Sequence, residues 1–171
     1  FSITEILDRG ELIAADPLAP TIIVLLATGA FAKSAQAPLH SWLANAMVAP
    51  TPVSAYLHSA TMVKLGIYLL SRFDPVFSDH ALWIALLTGF GAVTMLTGSV
   101  LAMRETDLKR VLAYSTIVSL GTLTMLIGIP GALAAVAVVA FLIVHALYKA
   151  CLFLVAGIID HETGTRDSSA L

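Results

Sequence analysis

Charge is what this sequence of 171 residues lacks most: Asp, Glu, Lys and Arg together make up 12% of it. A soluble domain carries about 25%. The deficit is uneven, since 81–103 and 111–148 contain none of the four residue types. Runs of that length exclude an ordinary soluble domain, because about 20 apolar residues suffice for a membrane-spanning helix. Cysteine is nearly absent too. A lone Cys151 excludes an internal disulfide framework. The net charge of −2 comes without a basic stripe, so nothing points to nucleic acid. Metal chemistry lacks its signatures: there is no H-x-x-x-H, E-x-x-H or C-x-x-C, and His161-Glu162 is too small a cluster for a site. No P-loop, G-x-S-x-G or G-x-G-x-x-G occurs, so no cofactor is expected and no catalytic site of the chain's own. Phe1 opens the chain without an initiator Met, charged n-region or cleavage site, which suggests an internal piece of a longer polypeptide.

What is present is apolar. Hydrophobic residues make up 58%, and mean hydropathy is +0.93. The pattern predicts an all-α, polytopic transmembrane helix bundle over 18–159. Residues 1–17 read as an extramembrane loop or interfacial helix, with Ser2 and Glu5 in capping-box spacing and Gly10 as a stop signal. Spans are expected at about 18–36, 52–71, 81–103, 108–128 and 132–159, with a polar tail at 160–171. The first span breaks. Pro38 disfavours helix at Ala37, and 39–47 then reads as a short half-helix. Pro50 and Pro52 form a second breaker, and Arg72, Asp74, Pro75, Asp79 and His80 read as a polar turn. Broken helices at membrane depth persist only where the freed backbone faces protein or water. Gly89, Gly91 and Gly98 suggest close helix packing. Arg104, Lys109 and Arg110 make 104–110 the most cationic loop, so it is expected on the cytoplasmic side together with the tail.

Against that background the few ionisable residues stand out, because such groups at membrane depth are costly and mark ion paths. Lys33, Lys64 and Lys149 each admit two readings, a proton carrier or a side chain snorkelling to the interface. Lys64 lies nearest the middle of its span. His58 and His145 titrate near neutrality and can pass protons between unlike neighbours, or serve only as hydrogen-bonding residues. His145 and Lys149, four apart, share one helix face at about 6 Å. On a continuous helix His58 and Lys64 would lie roughly 240° apart and meet different neighbours. His40 sits in the broken segment and is either interfacial or part of a relay. Thr61, Ser59, Tyr114, Ser115 and Thr116 offer hydroxyls for bridging water.

Four stretches, FAKSAQAPLHSWLANAM, APTPVSAYLHSATMVKLGIYLLSR, ETDLKRVLAYSTIVSLG and VHALYKACLFLVAGIIDHETGTRD, resemble the antiporter-like proton-pumping subunits of respiratory complex I and of Mrp-type cation/proton antiporters. The resemblance covers nearly everything after Leu18. Lys64 and the IIDHETGTRD tail look more like the large A component of the Mrp antiporters. It implies an inverted-repeat fold with a Lys-bearing broken helix in each repeat, of which this chain would hold the end of one repeat and the start of the next. Lys33 would match the Lys of the first broken helix, and His58 and Lys64 the central polar axis. Lys109 would match the Lys of the TDLKR motif, and His145 and Lys149 the second relay. A Glu partner for Lys33 would lie upstream and a second broken helix downstream. Ala44 stands where the family usually has Pro.

The resemblance implies a proton-translocating subunit exchanging protons for Na⁺ or another monovalent cation. It would work among other membrane subunits in the lipid bilayer of a bacterial plasma membrane, without cofactor or nucleic acid. A proton-pumping subunit of complex I (NADH-quinone oxidoreductase) or of a membrane-bound hydrogenase is the competing reading, and only there would the chain be part of a translocase enzyme. A membrane scaffold with its lysines locked in ion pairs is a third.

Overall fold

The computed structural model describes residues 3–59 and 61–170, and its regular elements are helices. Two short ones lead in, α1 (Ile3–Asp8) and α2 (Gly10–Ala14). They are followed by α3 (Ala19–Lys33), α4 (Ser41–Asn45) and α5 (Thr51–Ser59). Then come α6 (Leu65–Phe77), α7 (Ala81–Ala102), α8 (Leu108–Ile127) and α9 (Ala132–Thr163). Short 3₁₀ turns occupy Ala46–Val48 and Met62–Lys64. Among the described residues, α7, α8 and α9 are each long and apolar enough to cross a membrane, and α3 is a shorter apolar helix.

Large apolar side chains cover the surface, and a few charged ones are buried among the apolar core. Lys109, His145 and Lys149 are at most 2% exposed, while Leu133 is 87% and Leu147 67% exposed. Charged side chains are seldom fully buried in water-soluble folds, so the outer face is built for lipid or neighbouring helices, while the inner one holds a few polar groups within an apolar core.

The α7–α8 pair is the tightest contact. A Cβ on Gly91 would lie 2.5 Å from the Met125 nitrogen, and one on Gly121 would lie 2.6 Å from the Met95 nitrogen. Backbone meets backbone there, as small residues allow in membrane helices. Asp107 caps α8, its Oδ1 accepting from the Lys109 and Arg110 N–H groups at 2.8 and 3.1 Å.

The expected break after Lys33 is present, and its freed groups are accounted for. Ala35 adopts a left-handed φ of 49°, a common way to end a helix though costly without glycine. Ala30, Phe31 and Ala32 carbonyls accept from Ser34 N–H, Gln36 N–H and Trp42 Nε1–H. The Ala37 N–H donates to Thr94 Oγ1 at 2.9 Å, and the Ala37–Pro38 peptide is cis.

Three expectations need correction. Residues 52–71 do not form one helix: α5 stops at Ser59, and the 3₁₀ turn at Met62–Lys64 intervenes before α6. The angle expected between His58 and Lys64 on a continuous helix therefore does not apply. Nor is 72–80 a turn throughout, since α6 runs on to Phe77 with Pro75 inside it. Asp74 Oδ1 there accepts from Trp83 Nε1 at 2.9 Å. Gly10 starts α2 rather than stopping α1; it is buried against Val76, whose Cγ2 would sit 2.9 Å from an added Cβ. The expected Ser2–Glu5 capping box lies partly outside the described residues.

Candidate functional site

α9 presents a buried stripe, Val138, His145, Lys149, Phe153 and Ala156, to α5 and α8. The i, i+4 spacing of His145, Lys149 and Phe153 keeps all three on one face. The 3₁₀ turn delivers Lys64 to the same place, where its Nζ donates to the Leu142 carbonyl at 3.1 Å. Lys149 Nζ donates to the Leu112 carbonyl at 3.1 Å and to Ser115 Oγ. His145 lies within electrostatic reach of both amines. It is fully buried, and neither ring nitrogen has a hydrogen-bond partner. The Tyr148 ring stands edge-on to His145 at 5.3 Å and lies 5.8 Å from Lys149 Nζ.

A second group adjoins the first along α9. His58 packs its ring against Phe153 at 6.2 Å, and its Nδ1 lacks a partner. Lys109 is within electrostatic reach of His58, and its Nζ donates to the Ala49 carbonyl at 2.5 Å. That carbonyl precedes Pro50, at the start of α5. Phe153 therefore separates the Lys64–His145–Lys149 group from the His58–Lys109 group.

The chemistry follows from what is missing around the amines. Among the described residues no carboxylate lies within 4 Å of Lys64 or Lys149; the two ion pairs found are Arg110–Glu105 at 2.9 Å and Arg166–Asp107 at 3.4 Å. Each amine is held by neutral oxygen acceptors, which accept from an amine in either protonation state. An imidazole with two open nitrogens between two such amines is a geometry for handing protons on, and buried polar atoms without a protein partner are where bridging water belongs. Snorkelling does not describe Lys64 or Lys149, whose side chains turn inward. Among the described residues no three or more His, Cys, Asp or Glu side chains come together as metal ligands.

Other expected site residues lie elsewhere. Lys33 is exposed at the end of α3, and the acceptors of Lys64 and Lys149 lie on α9 and α8. His40 leaves Nδ1 buried and unpartnered in the broken segment. Thr61 Oγ1 donates to the Tyr56 carbonyl at 3.1 Å, and Tyr114 is a mostly buried member of the main apolar core. Pro38, Pro50 and Pro52 flank the breaks. Sequence reasoning did not single out Tyr148, whose position between His145 and Lys149 in VHALYKA was the available signal.

At the polar end of the bundle, residues after α9 fold back onto the start of α8. Leu108 N–H donates to the Arg166 carbonyl at 2.9 Å and Ser168 N–H to the Thr106 carbonyl at 3.0 Å. Asp167 accepts from the Ser169 N–H and hydroxyl, which hold its carboxyl below the usual carboxylate range.

The family model described as "NADH:quinone oxidoreductase/Mrp antiporter, TM" matches residues 2–171. The chain belongs to this family. Its sequence is 51% identical over 181 residues to the A component of the Na(+)/H(+) antiporter of Alkalihalophilus pseudofirmus, covering 98% of this chain and 22% of that protein. It is also 51% identical over 167 residues to the A/B component of a probable K(+)/H(+) antiporter of Rhizobium meliloti, covering 98% of this chain and 17% of that one. Among solved structures, the Mrp complex of a Dietzia species superposes with a TM-score of 0.87 at 52% identity, over 91% of this chain and 17% of that one. The fold is thus the all-α membrane bundle of this family. The chain spans about a fifth of the length of the relatives it matches.

Proposed function

We propose that this segment is the proton-carrying core of the A component of a Mrp-type monovalent cation/proton antiporter. Protons pass laterally along Lys64, His145 and Lys149 near the membrane midplane, with His58 and Lys109 continuing the line past Phe153. Lys33, at the end of α3, joins the same line. Tyr114, Thr61 and His40 are additional relay positions. The observation that carries the reading is His145, buried with both nitrogens open and with Lys64 and Lys149 in electrostatic reach. The printed names of relatives include both Na⁺/H⁺ and K⁺/H⁺ antiporters, and the exchanged ion is one of these monovalent cations. The protein works with other membrane subunits in a bacterial plasma membrane, with 104–110 and 160–171 on the cytoplasmic side.

The test uses the full-length protein in its complete complex. Everted membrane vesicles report proton movement on addition of Na⁺ or K⁺. The His145→Ala and Lys149→Met variants should assemble normally and lose coupled flux by on the order of 100-fold, the scale of a positioned acid–base group. Wild-type coupled flux per assembled complex in both variants would sink the reading.

A further inference from the structure

The break between α5 and α6 has an occupant that its own sequence does not supply. In a continuous helix the Ile67 N–H would donate to the Val63 carbonyl, four residues back. Here the Ser34 hydroxyl, from the end of α3, stands between them. Ser34 Oγ accepts from Ile67 N–H at 3.2 Å and donates to the Val63 carbonyl at 2.7 Å. Ser34 is fully buried. A side chain inserted into the helical ladder is a recognised cause of a break. Gly66 makes the approach possible, because a Cβ there would collide with the Ala30 carbonyl oxygen and Ser34 Oγ. The consequence falls on Lys64, which sits between Val63 and Leu65 at the end of the opened turn and donates to the Leu142 carbonyl on α9.

We infer that Ser34 is a positioning residue for Lys64. Its hydroxyl takes the place of the bond between Ile67 N–H and Val63 C=O and so holds the Met62–Lys64 turn in the form that aims the amine at Leu142 and His145. Because Ser34 directly follows Lys33, the same hydroxyl ties the helix end bearing Lys33 to the turn bearing Lys64. Without it, Val63 C=O and Ile67 N–H close on each other, the turn winds into helix, and Lys64 swings from its place. The inference rests on the proposed proton path for its functional consequence; the inserted hydroxyl is a matter of geometry.

The titratable and charged groups on the elements around this turn are Lys33 on α3, Tyr56 and His58 on α5, Tyr68, Arg72 and Asp74 on α6, and, on α9, His145, Tyr148, Lys149 and Cys151, with Asp160, His161 and Glu162 at its far end. Ser34→Ala changes none of them, so an altered pH profile reports the placement of Lys64 among them. The experiment compares Ser34→Ala, Ser34→Thr and Thr124→Val in the full-length protein within the complete complex, measuring assembled complex, coupled flux and its pH profile. Thr124 is the control, a fully buried hydroxyl whose bond goes to Leu120 within its own helix.

Ser34→Ala should lower flux per assembled complex roughly tenfold and move the pH of half-maximal flux by about 0.5 unit or more. Ser34→Thr, which keeps the hydroxyl, should restore both, and Thr124→Val should change neither. If Ser34→Ala does not assemble, Ser34→Cys replaces it, keeping the volume with a weaker donor, and the same shift is expected. A wild-type pH profile in whichever of these two variants assembles, or a loss that Ser34→Thr does not restore, overturns the inference. Absence of coupled flux in the wild-type complex, or its persistence in Lys149→Met, would instead refute the proposed function, so the two failures are distinct.

Discussion

Lys33 and Lys149 are the same side chain on neighbouring parts of one apolar bundle, yet they occupy opposite environments. Lys149 is 1% exposed, donates to Leu112 and Ser115, and has His145 one turn away. Lys33 is exposed at the end of a helix whose other polar neighbours, Ser34 and Gln36, are buried. The break after Lys33 turns Ser34 inward and leaves the lysine outside. The difference teaches that a lysine in an apolar run is not by itself a buried charge. Which way it faces depends on what packs against its helix, and Lys33 lies on a face of α3 that the described residues leave exposed.

The largest expected effect in this comparison is at Lys149. Lys149→Met keeps the stem and removes the amine, and coupled flux should fall by on the order of 100-fold in vesicles holding the complete complex. Lys33→Ala should lower flux less, roughly tenfold, because it leaves the Lys64–His145–Lys149 group intact; a loss equal to that of Lys149→Met would erase the distinction. The α8 cap tests whether surface charges matter on the same scale. Asp107→Ala should cost about 1 kcal/mol in the thermal stability of the assembled complex through the lost cap, with flux per complex falling far less than in Lys149→Met. Arg166→Ala, which removes only the half-buried ion-pair partner of Asp107, should cost below about 1 kcal/mol and still less at high salt. The smallest effect is expected at Tyr148→Phe. It deletes a hydroxyl 3.4 Å from Ser119 Oγ, a long contact, while keeping the ring beside His145 and Lys149, so flux should change less than about threefold. A large loss there would move the hydroxyl into the path.

Much of this was legible in the sequence because it depends on local chemistry. The pair His145 and Lys149 follows from helical spacing alone. Pro38 and the KSAQAP stretch announced the first break, and Gly91 announced the close approach of α7 to α8. The second break was not legible. HSATMVKLG carries no proline, and the side chain that bonds across the turn is Ser34, 29 residues from Val63 along the chain. Spacing along α5 and α6 therefore misplaced Lys64 relative to His58. Pro75 misled in the other direction: a proline inside α6 looked like a turn, but packing carries the helix through it to Phe77.

The sequence by itself determined the solvent and the cast. Long runs without charge require a bilayer, and a few lysines and histidines within them require a reason to be there. Only the tertiary structure decided which of them meet. Lys64 reaches Leu142 on α9, Lys149 reaches Leu112 and Ser115 on α8, and Lys109 reaches Ala49 ahead of α5. The physical reason is that each amine is satisfied by an oxygen on a distant part of the chain, in two of the three cases a backbone carbonyl alone. Every residue has a carbonyl, so a carbonyl partner leaves no mark in the sequence, and packing alone selects it.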